Sequence, residues 1–299
     1  MAFSFARIAL CTASIFSGIT GFGVFSPAAQ SAEPNGPTST PASSQSVFEH
    51  IVHSDILGRD MRLLVWKPEQ AAPKNGYPVI YSFDGETSIA TFAQFATQAA
   101  RVGARYKLVA PVIVGFAEMP DYWSGPNAID QRTFDFTPPA DHYDVPERPN
   151  LKPWPKLGGG DAYLQAVLEE FKPMIADLYA VDQTRETLFG HSLGGMMVLH
   201  ALATHPDAFD AYVAASPSIW FNKPERMREM RDFLARSDFS QTAPIPLMLS
   251  VCGEEAKLDD WEMLMLTYAR ERRSPWKRTN DRVQQPTREE RRGRQRGVY

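Results

Sequence analysis

Cysteine is almost absent. The 299 residues hold two, Cys11 and Cys252. Cys11 lies in an N-terminal stretch that reads as a removable export signal, so cleavage would leave Cys252 alone and no intramolecular disulfide. Cys252 sits in an apolar run and reads as a small buried residue, so stability must come from a packed core. Histidine is also scarce, with six residues and none after His205. No glycine-rich phosphate loop and no zinc-type Cys/His spacing occurs, and no metal or organic cofactor is expected.

Net basic charge is lacking over most of the chain. The net charge is −4, yet residues 270–299 carry eleven Lys or Arg against four Asp or Glu. That stretch is therefore +7, which leaves −11 for the rest. A mildly acidic body argues against a nucleic acid or an anionic membrane as partner of the folded domain. A hydrophobic content of 43% and a charged content of 22% are ordinary for a globular protein. Oligomeric state leaves no signal in the sequence.

What is present starts with the N-terminus. Arg7 precedes an apolar stretch, Ile8 to Phe25, interrupted by Gly18, Gly21 and Gly23, with small residues around Ser26 to Ala32. Residues 1–32 read as a signal peptide, with an uncleaved anchor as the alternative. Both place the domain outside the cytoplasm, periplasmic or secreted. Residues 33–46, rich in Pro, Ser and Thr, read as a flexible linker. Residues 47–269 form the expected domain, and residues 270–299 a basic tail too poor in aliphatic side chains to fold.

Within the domain, strands alternate with helices. His50–His53 and Met61–Trp66 read as two strands around a turn at Leu57–Arg59, with His50 and His53 on the strand surface. Pro78–Phe83 and Leu108–Gly115 are apolar runs suited to strands buried on both faces. A helix fits Ile89 to Gly103 between them. Trp123 to Gly160, crowded with Pro, Gly, Trp and Tyr, reads as an irregular lid or binding loop. Then follow a helix over Asp161–Leu178 with Pro173 as a kink, a strand at Glu186–Phe189, and a helix over Leu193–Thr204. A strand at Ala211–Ser216, a helix over Pro224–Ser237, a strand at Ile245–Val251 and a helix over Trp261–Arg273 complete the order. This alternation predicts an α/β fold with a mostly parallel sheet covered on both faces.

Gly190-His191-Ser192-Leu193-Gly194 matches G-x-S-x-G between a predicted strand and a predicted helix. Such a turn pushes the serine oxygen out at the top of the sheet, and glycines two residues to either side let neighbouring backbone pass without Cβ clashes. Ser192 is the candidate nucleophile. His191, one residue away, cannot curl back to act as its base and reads as a turn or packing residue. An oxyanion hole needs two backbone N–H donors. One is assigned to Leu193 and the other to Gly85 or Glu86, at the end of an early buried strand.

Five pieces extend the pattern: Tyr81-Ser82-Phe83-Asp84-Gly85, Val112-Ile113-Val114-Gly115, Arg132 to Pro138, Phe189 to Gly195, and Ala214-Ala215-Ser216-Pro217-Ser218-Ile219-Trp220. In this order the chain resembles the α/β-hydrolases, in the branch called the "Putative esterase" family, which includes esterase D-like enzymes and periplasmic siderophore esterases that hydrolyse catecholate trilactones. The resemblance implies ester hydrolysis through an acyl-enzyme. It suggests Arg132 as a contact to an anionic or catechol-bearing substrate, a structural ion pair being the equal alternative. Trp123 and His142, in the long loop, are further candidate substrate contacts, with loop packing the alternative for the aromatics.

The family's triad runs Ser, then an acid after a later strand, then a His near the C-terminus. Glu255 is the candidate acid, and a solvated charge run that includes Asp259 and Asp260 is the alternative. No histidine follows His205. His200 is eight residues past Ser192 on one helix, about 12 Å along its axis, and His142 would have to swing over the site. The family's last strand and helix are not seen, and the arginine-rich end reads as a frameshifted or mis-terminated segment, or as a basic tail for an acidic partner. Two functions are expected: an exported serine carboxylic-ester hydrolase, or an inactive binding protein of the same fold. Acyl transfer is a third.

Overall fold

The structure is a computed structural model that describes residues 47–106, 108–120, 128–147, 153–236 and 245–251. It contains a seven-stranded sheet: β1 (Phe48–Ser54), β2 (Arg59–Trp66), β3 (Tyr77–Ser82), β4 (Val112–Ala117), β5 (Val181–His191), β6 (Ala211–Ala215) and β7 (Leu247–Ser250). The spatial order is β1-β2-β4-β3-β5-β6-β7. β1 and β2 form a hairpin and β2 runs antiparallel to β4. All later pairings are parallel.

The helices are α1 (Gly85–Tyr106), α2 (Ala128–Asp135), α3 (Gly160–Ala166), α4 (Lys172–Leu178), α5 (Leu193–Thr204) and α6 (Lys223–Arg236). α1 lies on one face, where Ile89 and Ala96 meet Leu64, Trp66, Ile113 and Ala117. The opposite face carries the main core, with α3, α4, α5 and α6 contributing Leu164, Ile175, Val198 and Met230 against Val79, Tyr81, Val114 and Leu188. The α/β-hydrolase fold read from the sequence is thus present, with a mostly parallel sheet covered on both faces. Among the described residues no helix is long and apolar enough to cross a membrane.

The chain leaves β3 for β4 on one side, then returns to place β5 on the other. The register pairs Ser82 with both Gly115 and Phe189, and Gly190 with Ala214. The carboxyl ends of β3, β5 and β6 therefore finish side by side at a topological switch point, where open α/β sheets form their crevices.

Four of the differences from expectation have a local cause. α1 begins at Gly85 rather than Ile89, because the N–H groups of Thr87 and Ser88 already donate to Asp84 O, at 3.0 and 3.1 Å. β4 begins at Val112 because Pro111 has no N–H for the ladder, and Leu108 and Val109 ahead of it are exposed. The segment expected to be irregular contains α2, whose inward face holds Thr133 and Asp135 rather than aliphatic residues, so no apolar period marks it. The backbone is helical without a break over 160–178, as expected, but its turns are not uniform. A π turn, Val167–Phe171, precedes Pro173, with Lys172 N–H donating to Val167 O. The expected helix over Trp261–Arg273, the signal, the linker, Cys252 and the basic tail lie outside the described residues.

One buried ion group ties three helices together. His200 on α5 is 4% exposed. Its Nδ1 meets Glu229 Oε1 of α6 at 2.6 Å and its Nε2 meets Asp161 Oδ1 of α3 at 2.8 Å. Both ring nitrogens donate when the ring is charged. Burial opposes that charge, but the two carboxylates outweigh it and raise the pKa. The stabilisation is fully present below the unfolded pKa of about 6.5 and is lost as pH rises through the raised folded value. The thermal unfolding midpoint should therefore fall as pH is raised above about 6.5, and His200→Gln should flatten that slope. Equal slopes in the two proteins would contradict this account.

Candidate active site

β5 runs directly into α5 through Ser192, whose backbone has φ 58° and ψ −119°. A non-glycine residue held there is strained, by an amount on the order of 1–3 kcal/mol. The surroundings enforce it. A Cβ on Gly190 would lie 2.2 Å from Gly194 O, and one on Gly195 would lie 2.9 Å from Ala215 O. Ser192 N–H donates to Ala215 O at 3.0 Å, and Ser192 O accepts from Met196 N and Ser218 N, each at 3.0 Å. Leu193, the first residue of α5, is 9% exposed. Its N–H belongs to the first helical turn, which has no acceptor within the helix.

The turn after β3 abuts this elbow. A Cβ on Gly194 would lie 3.2 Å from Phe83 Cβ and 3.5 Å from Asp84 Oδ2. Asp84 itself has φ 54°. Gly85 touches bare backbone, since a Cβ there would sit 2.6 Å from Gly115 C. The N–H groups of Thr87 and Ser88 are used on Asp84 O. The Glu86 carboxylate accepts from the N–H of Glu86 itself and from that of Glu118. Of the two donors expected in this turn, Gly85 N–H is the one without an acceptor among the described residues. Burial raises the Glu86 pKa despite these bonds.

Arg132, on α2, forms a fork on Asp84: Nε to Oδ1 at 2.5 Å and Nη2 to Oδ2 at 2.7 Å. Its Cζ lies 5.1 Å from the centroid of the Phe136 ring. Of the two readings of Arg132, the ion pair is present. A second charged group lies beyond the end of β4. Arg59 Nη2 donates to Asp135 Oδ2 at 2.6 Å and to Glu118 Oε1 at 3.1 Å. Burial pushes the Glu118 carboxyl up to about 7 against the pull of Arg59. The sequence reading missed this group, because its members lie far apart in the chain and none sits in a motif.

The long loop is only partly a free rim. His142 is exposed, and its carbonyl accepts from Asn222 Nδ2 at 3.2 Å. Asp144 N–H donates to Asn222 Oδ1 at 3.0 Å. Trp154 Nε1 donates to Pro146 O at 2.7 Å, and its ring meets Phe221 edge-on at 5.0 Å. Tyr143 OH donates to Pro138 O at 3.0 Å. Trp123 and Glu255 lie outside the described residues.

All six histidines of the chain are described, and none is hydrogen-bonded to Ser192. His50 bonds Tyr179, His53 bonds Asp60, His200 bonds Asp161 and Glu229, and His205 bonds Thr204. His191, beside Ser192, is half-buried. Among the described residues Ser192 Oγ meets Ser218 Oγ at 3.0 Å. The sequence reading did not single out Ser218, although Ser216-Pro217-Ser218 directly follows the strand that pairs with β5. Among the described residues no three His, Cys, Asp or Glu side chains cluster to hold a metal ion.

Comparison with known proteins agrees with this fold. The family model described as "Putative esterase" matches residues 54–299. The chain is 33% identical to the ferri-bacillibactin esterase BesA of Bacillus subtilis (strain 168), over 72% of this chain and 73% of that protein. It is similar to the crystal structure of the BES protein from Bacillus cereus, with a TM-score of 0.64 and 30% identity, covering 76% of this chain and 84% of that one. It is also similar to the siderophore hydrolase EstA from Aspergillus nidulans, with a TM-score of 0.61 and 26% identity over 81% and 83% of the two chains. The elbow, the switch point and these likenesses converge, and the chain belongs to the "Putative esterase" family of the α/β-hydrolase fold.

Proposed function

We propose that this chain is an exported serine carboxylic-ester hydrolase whose substrates are siderophore-type esters. The observation that carries the reading is the strained Ser192 at the head of α5, in an elbow whose Gly194 packs against the Phe83–Asp84 turn. Relatives named as siderophore esterases support the substrate class. The N-terminal signal pattern supports export to the periplasm or the medium.

In this mechanism Ser192 Oγ attacks the ester carbonyl carbon while a base takes its proton. The carbonyl oxygen becomes an oxyanion, which the N–H groups of Leu193 and Gly85 accommodate. Collapse expels the alcohol, which takes up a proton, and leaves an acyl group on Ser192. Water then adds to that acyl carbon, the acid leaves, and Ser192 regains its proton. Arg132 holds Asp84, and through it the turn that presents Gly85. Trp123 and His142 are further substrate contacts in this reading, and Glu255 is its acid.

One observation favours a second reading, an ester-binding protein with little turnover: none of the six histidines bonds Ser192. Loss of one triad member leaves a residual rate of about 10³- to 10⁴-fold over water. With the protein-free imidazole rate subtracted, since imidazole itself attacks this ester, p-nitrophenyl acetate hydrolysis by these 299 residues should therefore be slow, should rise with added imidazole as a surrogate base, and should lose that rise in Ser192→Ala. Fast hydrolysis without imidazole would contradict the slow-turnover expectation. Imidazole stimulation that survives in Ser192→Ala would remove Ser192 from the mechanism. Tight binding of a ferric siderophore ester with no imidazole-dependent cleavage would select the binding reading.

Arg132→Gln breaks the fork on Asp84. As a clamp, Arg132 should affect p-nitrophenyl acetate and a catecholate siderophore ester by similar factors in kcat/KM, about tenfold each. A rise in KM confined to the catecholate ester would show instead that Arg132 contacts substrate.

A further inference from the structure

Ser192 is tied at three points to the end of β6 and the segment that follows it. Its N–H donates to Ala215 O, its carbonyl accepts Ser218 N–H, and its hydroxyl lies 3.0 Å from Ser218 Oγ. Ser218 is 3% exposed, and its carbonyl accepts from Phe221 N at 3.0 Å. Ser216, two residues earlier, has φ 39°, and Pro217 Cα packs where a Cβ on Gly195 would be, at 3.1 Å. The Ser218 hydroxyl is thus fixed by its backbone on both sides and aimed at one atom, the oxygen that reacts in the esterase reading.

A serine hydroxyl has one donor and two acceptor sites. If Ser192 is to surrender its proton to a base, its O–H must point at that base. The bond between the two serines then runs from Ser218 O–H to a lone pair of Ser192 Oγ. We propose that Ser218 is a catalytic hydrogen-bond donor to Ser192 Oγ, a role that rests on the esterase reading above. As Ser192 loses its proton, negative charge builds on Oγ, and a bond to a charged acceptor is about twice as strong as a neutral one. As Oγ bonds to the acyl carbon the charge leaves it, and the donor bond weakens again. When water later releases the acid, Oγ passes through the same charged stage in reverse. Ser218 keeps its own proton throughout, so no atom is transferred to or from it. The help is larger in the transition state than in the bound substrate, so it falls on kcat rather than KM.

The test compares Ser218→Thr, which keeps a hydroxyl, with Ser218→Val, which has nearly the same shape and lacks it. Three quantities are measured at fixed imidazole: the rate of Ser192 labelling by a fluorophosphonate, kcat and KM for p-nitrophenyl acetate, and the unfolding midpoint. Ser218→Val should slow labelling and kcat by about 10- to 100-fold with KM within about twofold. Ser218→Thr should stay within about fivefold of the parent rate. Ser218→Ala, which adds no volume, should match Ser218→Val if either branched side chain fails to fold. Valine and alanine variants that react as fast as the parent overturn the role. So does a threonine variant that folds and is as slow as valine, since packing would then be the cause. If the parent chain itself is not labelled at Ser192, the esterase reading falls, and this role falls with it.

Discussion

The arrangement depends on one crowded crossing, where the chain turns from β5 into α5. Backbone atoms of Gly190, Gly194, Gly195 and Ala215 approach so closely that no Cβ fits between them. That contact leaves Ser192 no relaxed conformation. The strain is held by hydrogen bonds to Ala215 and Ser218 and by burial of the helix beyond, where Leu193 through Ala203 are all buried. Packing of α5 against β5 and β6 thus sets the position of one hydroxyl, at the junction of strand and helix. The adjoining strand ends inherit their places from the same register, which sets Ser82 beside Phe189 and Gly190 beside Ala214.

Around this apolar scaffold, charge decides where the loops go. Arg132 and Asp84 join α2 to the turn after β3, and Arg59 joins the start of β2 to Glu118 and Asp135. Each pair is largely withdrawn from water. Breaking one partner leaves an uncompensated charge, which costs more than the pair contributes. These bridges fix α2 in a segment that offers few aliphatic residues to do so. Asn222 acts similarly without charge, holding the loop at His142 and Asp144 against the turn that carries Ser218.

The fold was legible because its signals are local. Apolar runs at Pro78–Phe83 and Ala211–Ser216, and the amphipathic or apolar helices between them, carry their own periodicity. G-x-S-x-G carries a backbone requirement that sequence alone exposes, and the structure places Ser192 at φ 58° as that pattern demands. α2 was hidden because what it buries is an ion pair and a threonine rather than a hydrophobic stripe. Ser218 was hidden for a different reason. Its approach to Ser192 is set by parallel pairing of two strands, and nothing within its own neighbourhood announces the partner 26 residues away. Glu118 and Arg59 meet across 59 residues, again a matter of register rather than motif.

The contact between Gly85 and Gly115 bears on how stiff the site is. A Cβ on Gly115 would lie 2.7 Å from Gly85 Cα, so the head of α1 rests directly on β4, all six of whose residues are buried. An amide mounted this way is braced by the sheet interior rather than carried on a surface bend. In the proposed esterase mechanism, an anion arriving at Gly85 N–H would meet a dipole already oriented, and little solvent or backbone would have to rearrange as its charge grows.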